Sequence, residues 1–218
     1  MTTRQLDFLL AEPERRLLRA IARRLPPAVH SDHLTALGVI AAIGAGVAYA
    51  LTSVRPAWLW VASAFLALNW LGDSLDGTLA RVRQAERPRY GYYLDHLVDA
   101  LSTTALGVGI GLSPYVDLRI ALGAVLAYLV LSINVYLEST VLGVFRLAYG
   151  RIGPTEVRLL LILGNAVAVL ASSAAVARLA NPAVALLLAL IALALLLRCA
   201  RNLAHLASVE PRPMPPPR

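Results

Sequence analysis

The chain has 218 residues, of which 58% are hydrophobic and 15% charged, with a mean hydropathy of +0.67. That balance excludes an ordinary soluble domain and marks an integral membrane protein. A net charge of +7 would suit a nucleic-acid binder, but all 20 basic residues are arginine and they track the apolar runs instead of forming one binding face, which argues against nucleic acid as a partner.

Near the N-terminus, EPERRLLRAIARRLPP predicts a helix that tolerates Pro13 in its first turn and stops at Pro26 and Pro27. Leu17, Leu18, Ile21 and Leu25 fall on one side, with Arg15, Arg16, Arg19 and Arg23 on the other. Residues 1–33 are therefore expected to form a cytoplasmic, amphipathic juxtamembrane segment lying in the headgroup layer. In SDHLT, Ser31 or Asp32 is the expected cap of the helix that follows. Six apolar runs then reach the ~20 residues needed to cross a hydrocarbon core. They are Leu34–Ser53, Trp58–Val82, Tyr93–Leu112, Ile120–Phe145, Val157–Ala177 and Pro182–Leu203. The expected fold is thus an all-α integral membrane protein, with six transmembrane helices over residues 34–206. The runs are continuous, not alternating, which argues against strands. Residues 207–218 are Pro-rich with too little apolar surface to fold.

On this assignment 17 arginines lie before span one, between spans two and three, between four and five, or at the end of span six and beyond. Only Arg55, Arg119 and Arg178 lie on the other side, so the positive-inside rule puts both termini in the cytoplasm. The absence of lysine beside abundant Ala, Leu, Arg and Pro suggests a GC-rich bacterium, hence an inner membrane. No signal peptide is read, because the first long apolar run begins at Leu34 behind several acids. The single Cys199 excludes an internal disulfide and reads as a packing residue, with palmitoylation as the alternative. GNAVAVLASSAAVA, in the fifth run, lets helices approach closely. Packing within one chain is the first reading of it, a homodimer seam the second.

The second span returns to the cytoplasm and the third leaves from it. At these two ends stand Asp73 and Asp76, and Asp95 and Asp99, joined by an Arg-rich loop. Helical spacing places Asp73, Asp76, Gly77 and Ala80 on one face and Gly91, Asp95 and Asp99 on another, so two helices can present four carboxylates to one space. Such acids repel one another and are costly in a membrane, so they need cations. Arg81 and Arg83 could supply structural ion pairs. The all-oxygen donor set, with only His96 nearby, indicates instead a hard ion, Mg²⁺ or Mn²⁺, and four acids suffice for two ions. Two such ions suit the holding of a pyrophosphate and in-line attack at phosphorus. Gly77 and Ala80 leave room for a base or ribose against the helix. Within span four, Glu138 lies ~12 Å of helix from the cytoplasmic end, with Asn134 one turn earlier, and an acid within a span is a functional candidate. A divalent-cation transporter is the non-enzyme alternative; it predicts carboxylates towards midspan on several helices.

The residues Asp73, Asp76, Gly77, Ala80, Arg81, Gly91, Asp95 and Asp99 resemble the D-x2-D-G-x2-A-R-(x8 or 9)-G-x3-D-x3-D signature of the CDP-alcohol phosphatidyltransferase family, with every fixed position filled. The resemblance implies an enzyme of phospholipid synthesis that cleaves a CDP-linked donor, releases CMP and joins the substituted phosphate to an alcohol acceptor. It implies that Asp73, Asp76, Asp95 and Asp99 hold two Mg²⁺ or Mn²⁺ ions, with Asp99 also the general base. Asp73, Gly77, Ala80, Arg81 and Gly91 would border the nucleotide. His96 competes for the base role but sits a helix step of about 100° from Asp95. Members often carry Pro-Asn where this chain has Ser31 and Asp32. YLES, around Glu138, and GPTE, ending in Glu156, are similar to stretches of choline and ethanolamine phosphotransferases, whereas Arg146 and Arg151 would suit a phosphorylated acceptor. The donor is accordingly either CDP-diacylglycerol or a CDP-amino-alcohol. A UbiA-like prenyltransferase also uses Asp pairs and Mg²⁺, but needs roughly nine spans and lacks the D-G-x2-A-R run.

Overall fold

The computed structural model describes residues 10–142 and 153–210; Arg146 and Arg151 lie outside the described residues. Among the described residues the chain is wholly helical, without strands. The helices are α1 (Ala11–Arg24), α2 (Ser31–Leu51), α3 (Trp58–Val82), α4 (Pro88–Gly111), α5 (Leu118–Val141), α6 (Pro154–Leu170) and α7 (Ser173–Val209). Three of them, α2, α5 and α7, are long and apolar enough to cross a membrane. Helices α3 and α4 have 25 and 24 residues but are diluted by the motif aspartates, and α6 has 17.

The run expected as Val157–Ala177 is broken at Ala171, after α6 ends at Leu170. Ser172 Oγ accepts the backbone N–H of Ala175 at 3.2 Å and starts α7, which divides the small-residue stretch between two helices. Pro182, expected to open a helix, instead lies inside the 37-residue α7. A proline removes one backbone donor from a helix interior, and here the neighbouring Asn181 Oδ1 accepts the N–H of Asp117 at 2.7 Å, fastening the α4–α5 connection to α7.

The interior is built from small residues. Ala42, Ala45 and Ala62 are fully buried, and Leu59 and Leu66 pack in one cluster with Ala45 and Ala62. Helices α2 and α3 touch backbone to backbone: a Cβ placed on Gly72 would lie 2.6 Å from both Gly38 N and Leu34 O. Only glycine allows that approach, and it seats the next residue, Asp73, against α2.

Helix α1 is amphipathic as expected, yet the apolar face assigned to the headgroup layer is largely taken by protein. Leu18 and Ala22 are buried against Leu34, Leu75 and Leu79, while Leu17 stays exposed. Burying that face stabilises by about 25 cal/mol per Å² of apolar surface wherever it is removed from water, and α3 offers a complementary stripe. One oxygen of Glu14 reinforces the docking by accepting from Trp70 Nε1 at 2.7 Å, Ser74 Oγ at 3.1 Å and Thr155 Oγ1 at 2.8 Å. The α1–α2 linker is held by Arg83, which donates to the carbonyls of Pro26 at 2.8 Å and Leu25 at 3.1 Å, and to that of Val29.

Candidate active site

The ends of α3 and α4 meet around an open cavity of about 630 Å³. Its wall includes Asp76, Gly77, Ala80, Arg81, Gly91 and Asp95, so two helices bring most of the motif to one space. The connection between them turns at Gln84, in the left-handed region with φ 52°, and α4 restarts with Pro88 in its first turn, where the missing N–H has no helical partner to lose. Around Gly77 the wall is open: the nearest atoms a Cβ there would meet belong to the Arg81 guanidinium, at 3.4 Å, and one on Gly91 would meet nothing within 4 Å.

The four carboxylates differ in their surroundings. Asp95 and Asp99, one turn apart on α4, join His96 in a cluster whose ligand atoms lie within 4.8 Å of one another. His96 Nδ1 is 3.1 Å from Asp95 Oδ2, and its ring lies between Tyr92, at 4.1 Å between centroids, and Tyr136 of α5, stacked at 4.7 Å. Those flanking rings fix the imidazole plane. Asp76 accepts from Thr35 Oγ1 at 2.6 Å and from the N–H of Gly77. Asp73 and Asp95 both act electrostatically on Asp76, so these three acids share one local field. Asp73 itself is engaged by Arg158 of α6, at 2.7 Å.

Arg81 and Arg83, weighed as the alternative counterions of the motif acids, make other contacts. Arg81 lines the cavity and donates to Thr78 Oγ1 at 3.2 Å, and Arg83 holds the α1–α2 linker. Neither capping candidate caps α2. The cap is His30, whose N–H donates to His33 Nδ1 at 3.2 Å. Ser31 Oγ instead donates to the carbonyl of Asp76 at 2.9 Å, and Asp32 pairs with Arg87, both lining the cavity. Arg87 in turn lies 4.0 Å over the ring of Tyr90.

The candidates for an acceptor pocket stand apart from this cavity wall. Glu138, 6% exposed, accepts from Asn134 Nδ2 at 2.7 Å and Asn202 Nδ2 at 2.6 Å, and pairs with Arg198 at 2.5 Å. These groups form a buried polar junction between α5 and α7, which Cys199 joins through Asn134 at 3.4 Å. Glu156 receives the N–H of Leu10 at 3.0 Å and that of Gly153 at 2.9 Å, in the first turn of α6 before the apolar run begins. Burial alone would push its carboxyl up, but these backbone donors outweigh burial and hold it below the usual glutamate range.

Sequence reasoning passed over Asn69, Thr35 and Arg158. Asn69, 2% exposed, donates to the carbonyl of Gly38 at 2.9 Å and accepts from Arg158 Nε at 2.8 Å. The available signal was spacing: Asn69 lies one turn before Asp73 in an otherwise apolar stretch, and Arg158 is the second residue of an apolar run.

Oxygen donors with a single imidazole among them suit a hard or borderline divalent ion, so the side chains present fit the metal expected from the sequence. The motif thus gathers at the ends of α3 and α4, around a cavity whose wall includes Gly77, Ala80 and Gly91. The family model for CDP-alcohol phosphatidyltransferases matches residues 28–209, and the chain belongs to that family. Membership establishes transfer of phosphate from a CDP-alcohol in phospholipid synthesis, in a family that generally uses divalent metal ions. A comparison with curated proteins finds no match.

Proposed function

We propose that the chain is a six-span enzyme of a bacterial inner membrane, with its active site and both termini on the cytoplasmic side. It moves a substituted phosphate from a CDP-linked donor to an alcohol. The observation that carries this reading is the convergence of Asp76, Gly77, Ala80, Arg81, Gly91 and Asp95 on one cavity, with Asp99 one turn beyond Asp95. Asp73, Asp76, Asp95 and Asp99 would hold two Mg²⁺ or Mn²⁺ ions, which when bound neutralise pyrophosphate charge and polarise phosphorus. The open face at Gly77 and Ala80 takes the cytidine, bordered by Arg81 and Gly91. The acceptor hydroxyl oxygen bonds to the distal phosphorus as the bridge to CMP breaks; its proton passes to Asp99, and CMP leaves with the bridging oxygen.

A second reading of the base is favoured by one observation: His96 lies with Asp95 and Asp99 in a single cluster, its plane set by two tyrosines. The angular step along α4 separates the Cα positions, but the side chains still reach one region. The one-ended placement of the motif acids supports a transferase over an ion path through the membrane.

Two arrangements of substrate are compatible with the motif, and a donor panel decides between them. Purified protein with Mg²⁺ is expected to release CMP either from CDP-diacylglycerol with a polar alcohol or from a CDP-amino-alcohol with diacylglycerol, the lipid product being read by mass spectrometry. In the first arrangement Arg146 and Arg151 would bind a phosphorylated acceptor; in the second Asn134, Glu138 and Glu156 would serve the amino-alcohol side. No CMP from any donor would overturn the proposal.

A further inference from the structure

Arg158 pairs with an oxygen of Asp73, one of the acids proposed above to hold metal. Its guanidinium spans two helix positions, with Nε donating to Asn69 Oδ1 at 2.8 Å and a terminal nitrogen to Asp73 Oδ2 at 2.7 Å. The geometry is held from behind, because Asn69 is anchored on the carbonyl of Gly38 and the Asp73 backbone is seated by the tight α2–α3 approach at Gly72. Both side chains are largely enclosed, at 14% and 23% exposed, so the pair is little screened by solvent. Asp73 is also the acid of the motif that Arg158 joins to α6, a helix otherwise outside the carboxylate cluster.

We propose that Arg158 is the resident counterion of Asp73, a built-in competitor that a divalent ion must displace before the motif is fully loaded. The inference rests on the two-metal reading of the motif and names the residue that sets its affinity. In the absence of metal the guanidinium offsets repulsion among Asp73, Asp76 and Asp95. When metal arrives, the same positive charge opposes it until it is displaced. Arg158 thereby lets an acidic cluster fold without its ions, at the expense of binding strength.

An orienting role for Arg158 would make its removal weaken metal binding; a competing role makes removal strengthen it. Even with the dielectric of water, a unit charge about 5 Å from a divalent ion is worth about tenfold in affinity. Mn²⁺ titration of the full chain in detergent, followed by the loss of the free-ion EPR signal with no nucleotide present, reads this directly. Arg158→Gln is expected to bind Mn²⁺ about tenfold or more tightly than wild type, and Arg158→Lys, which keeps the charge, to stay close to wild type. Equal or weaker binding by Arg158→Gln overturns the proposal while leaving the two-metal reading intact. A wild-type chain that binds no Mn²⁺ overturns both. A readout on the unmutated chain covers poor folding of the variant: phenylglyoxal modification of Arg158, mapped by mass spectrometry, should rise on adding Mg²⁺. Unchanged or reduced modification counts against displacement.

Discussion

Asp99→Asn is expected to lower turnover by about 10²–10⁴-fold, the range for loss of a positioned general base, while a CDP-linked nucleotide still binds. The substitution keeps the shape of the side chain and one oxygen. It removes the ability to accept a proton, and it weakens any metal contact without emptying the cavity wall formed by Gly77, Ala80 and Arg81. CMP release under saturating Mg²⁺, paired with nucleotide binding by calorimetry, separates chemistry from binding. Near-normal turnover would remove Asp99 from the base role. His96→Gln is the companion measurement: the loss should be much smaller than for Asp99→Asn, and the opposite order would assign the proton to the imidazole that stacks on Tyr136.

Glu138→Ala is expected to destabilise the fold by about 3–5 kcal/mol, the cost of breaking a buried ion pair from one side. The carboxylate is 6% exposed and receives Arg198, Asn134 and Asn202 together, so its removal strips charge balance and hydrogen-bond partners from one junction of α5 and α7. Thermal unfolding in detergent measures the effect. Replacing Glu138 and Arg198 together by Leu and Met should recover much of the loss, because an apolar pair of similar volume leaves no buried charge behind. A single variant as stable as wild type would show that the junction does not hold the helices. If stability is restored in the double variant but transfer to or from an amino-alcohol is lost, the acid serves substrate as well as structure.

Much of the fold was legible because apolar length is a one-dimensional signal. The α3 helix has the bounds read from its sequence, Trp58–Val82. The break at Ala171 was not, because alanine and serine are compatible with a continuing helix and only the local cap at Ser172 decides otherwise. Pro182 misled in the other direction: a proline suits the first turn of a helix, but this one lies inside α7. For α1 the amphipathic pattern was correct, yet a pattern states that a face is buried and not what buries it; the partner was α3.

The site shows the same division. Helical spacing was enough to place the motif on two facing helix ends. Spacing could not show that Asp73 is held by Arg158, 85 positions away along the chain, because long-range pairing leaves no periodic trace in a single sequence. Glu138 was legible as an acid in an apolar span, but its partners on α7 were not, and they place it in a junction between helices.

The central claim is that carboxylates from α3 and α4 together hold two divalent ions. Counting Mn²⁺ bound per chain by EPR, for wild type and for Asp76→Asn and Asp95→Asn, tests it most directly. The account predicts two ions per wild-type chain and the loss of at least one in each variant. Binding absent from the wild type, or unaffected by either substitution, would contradict it.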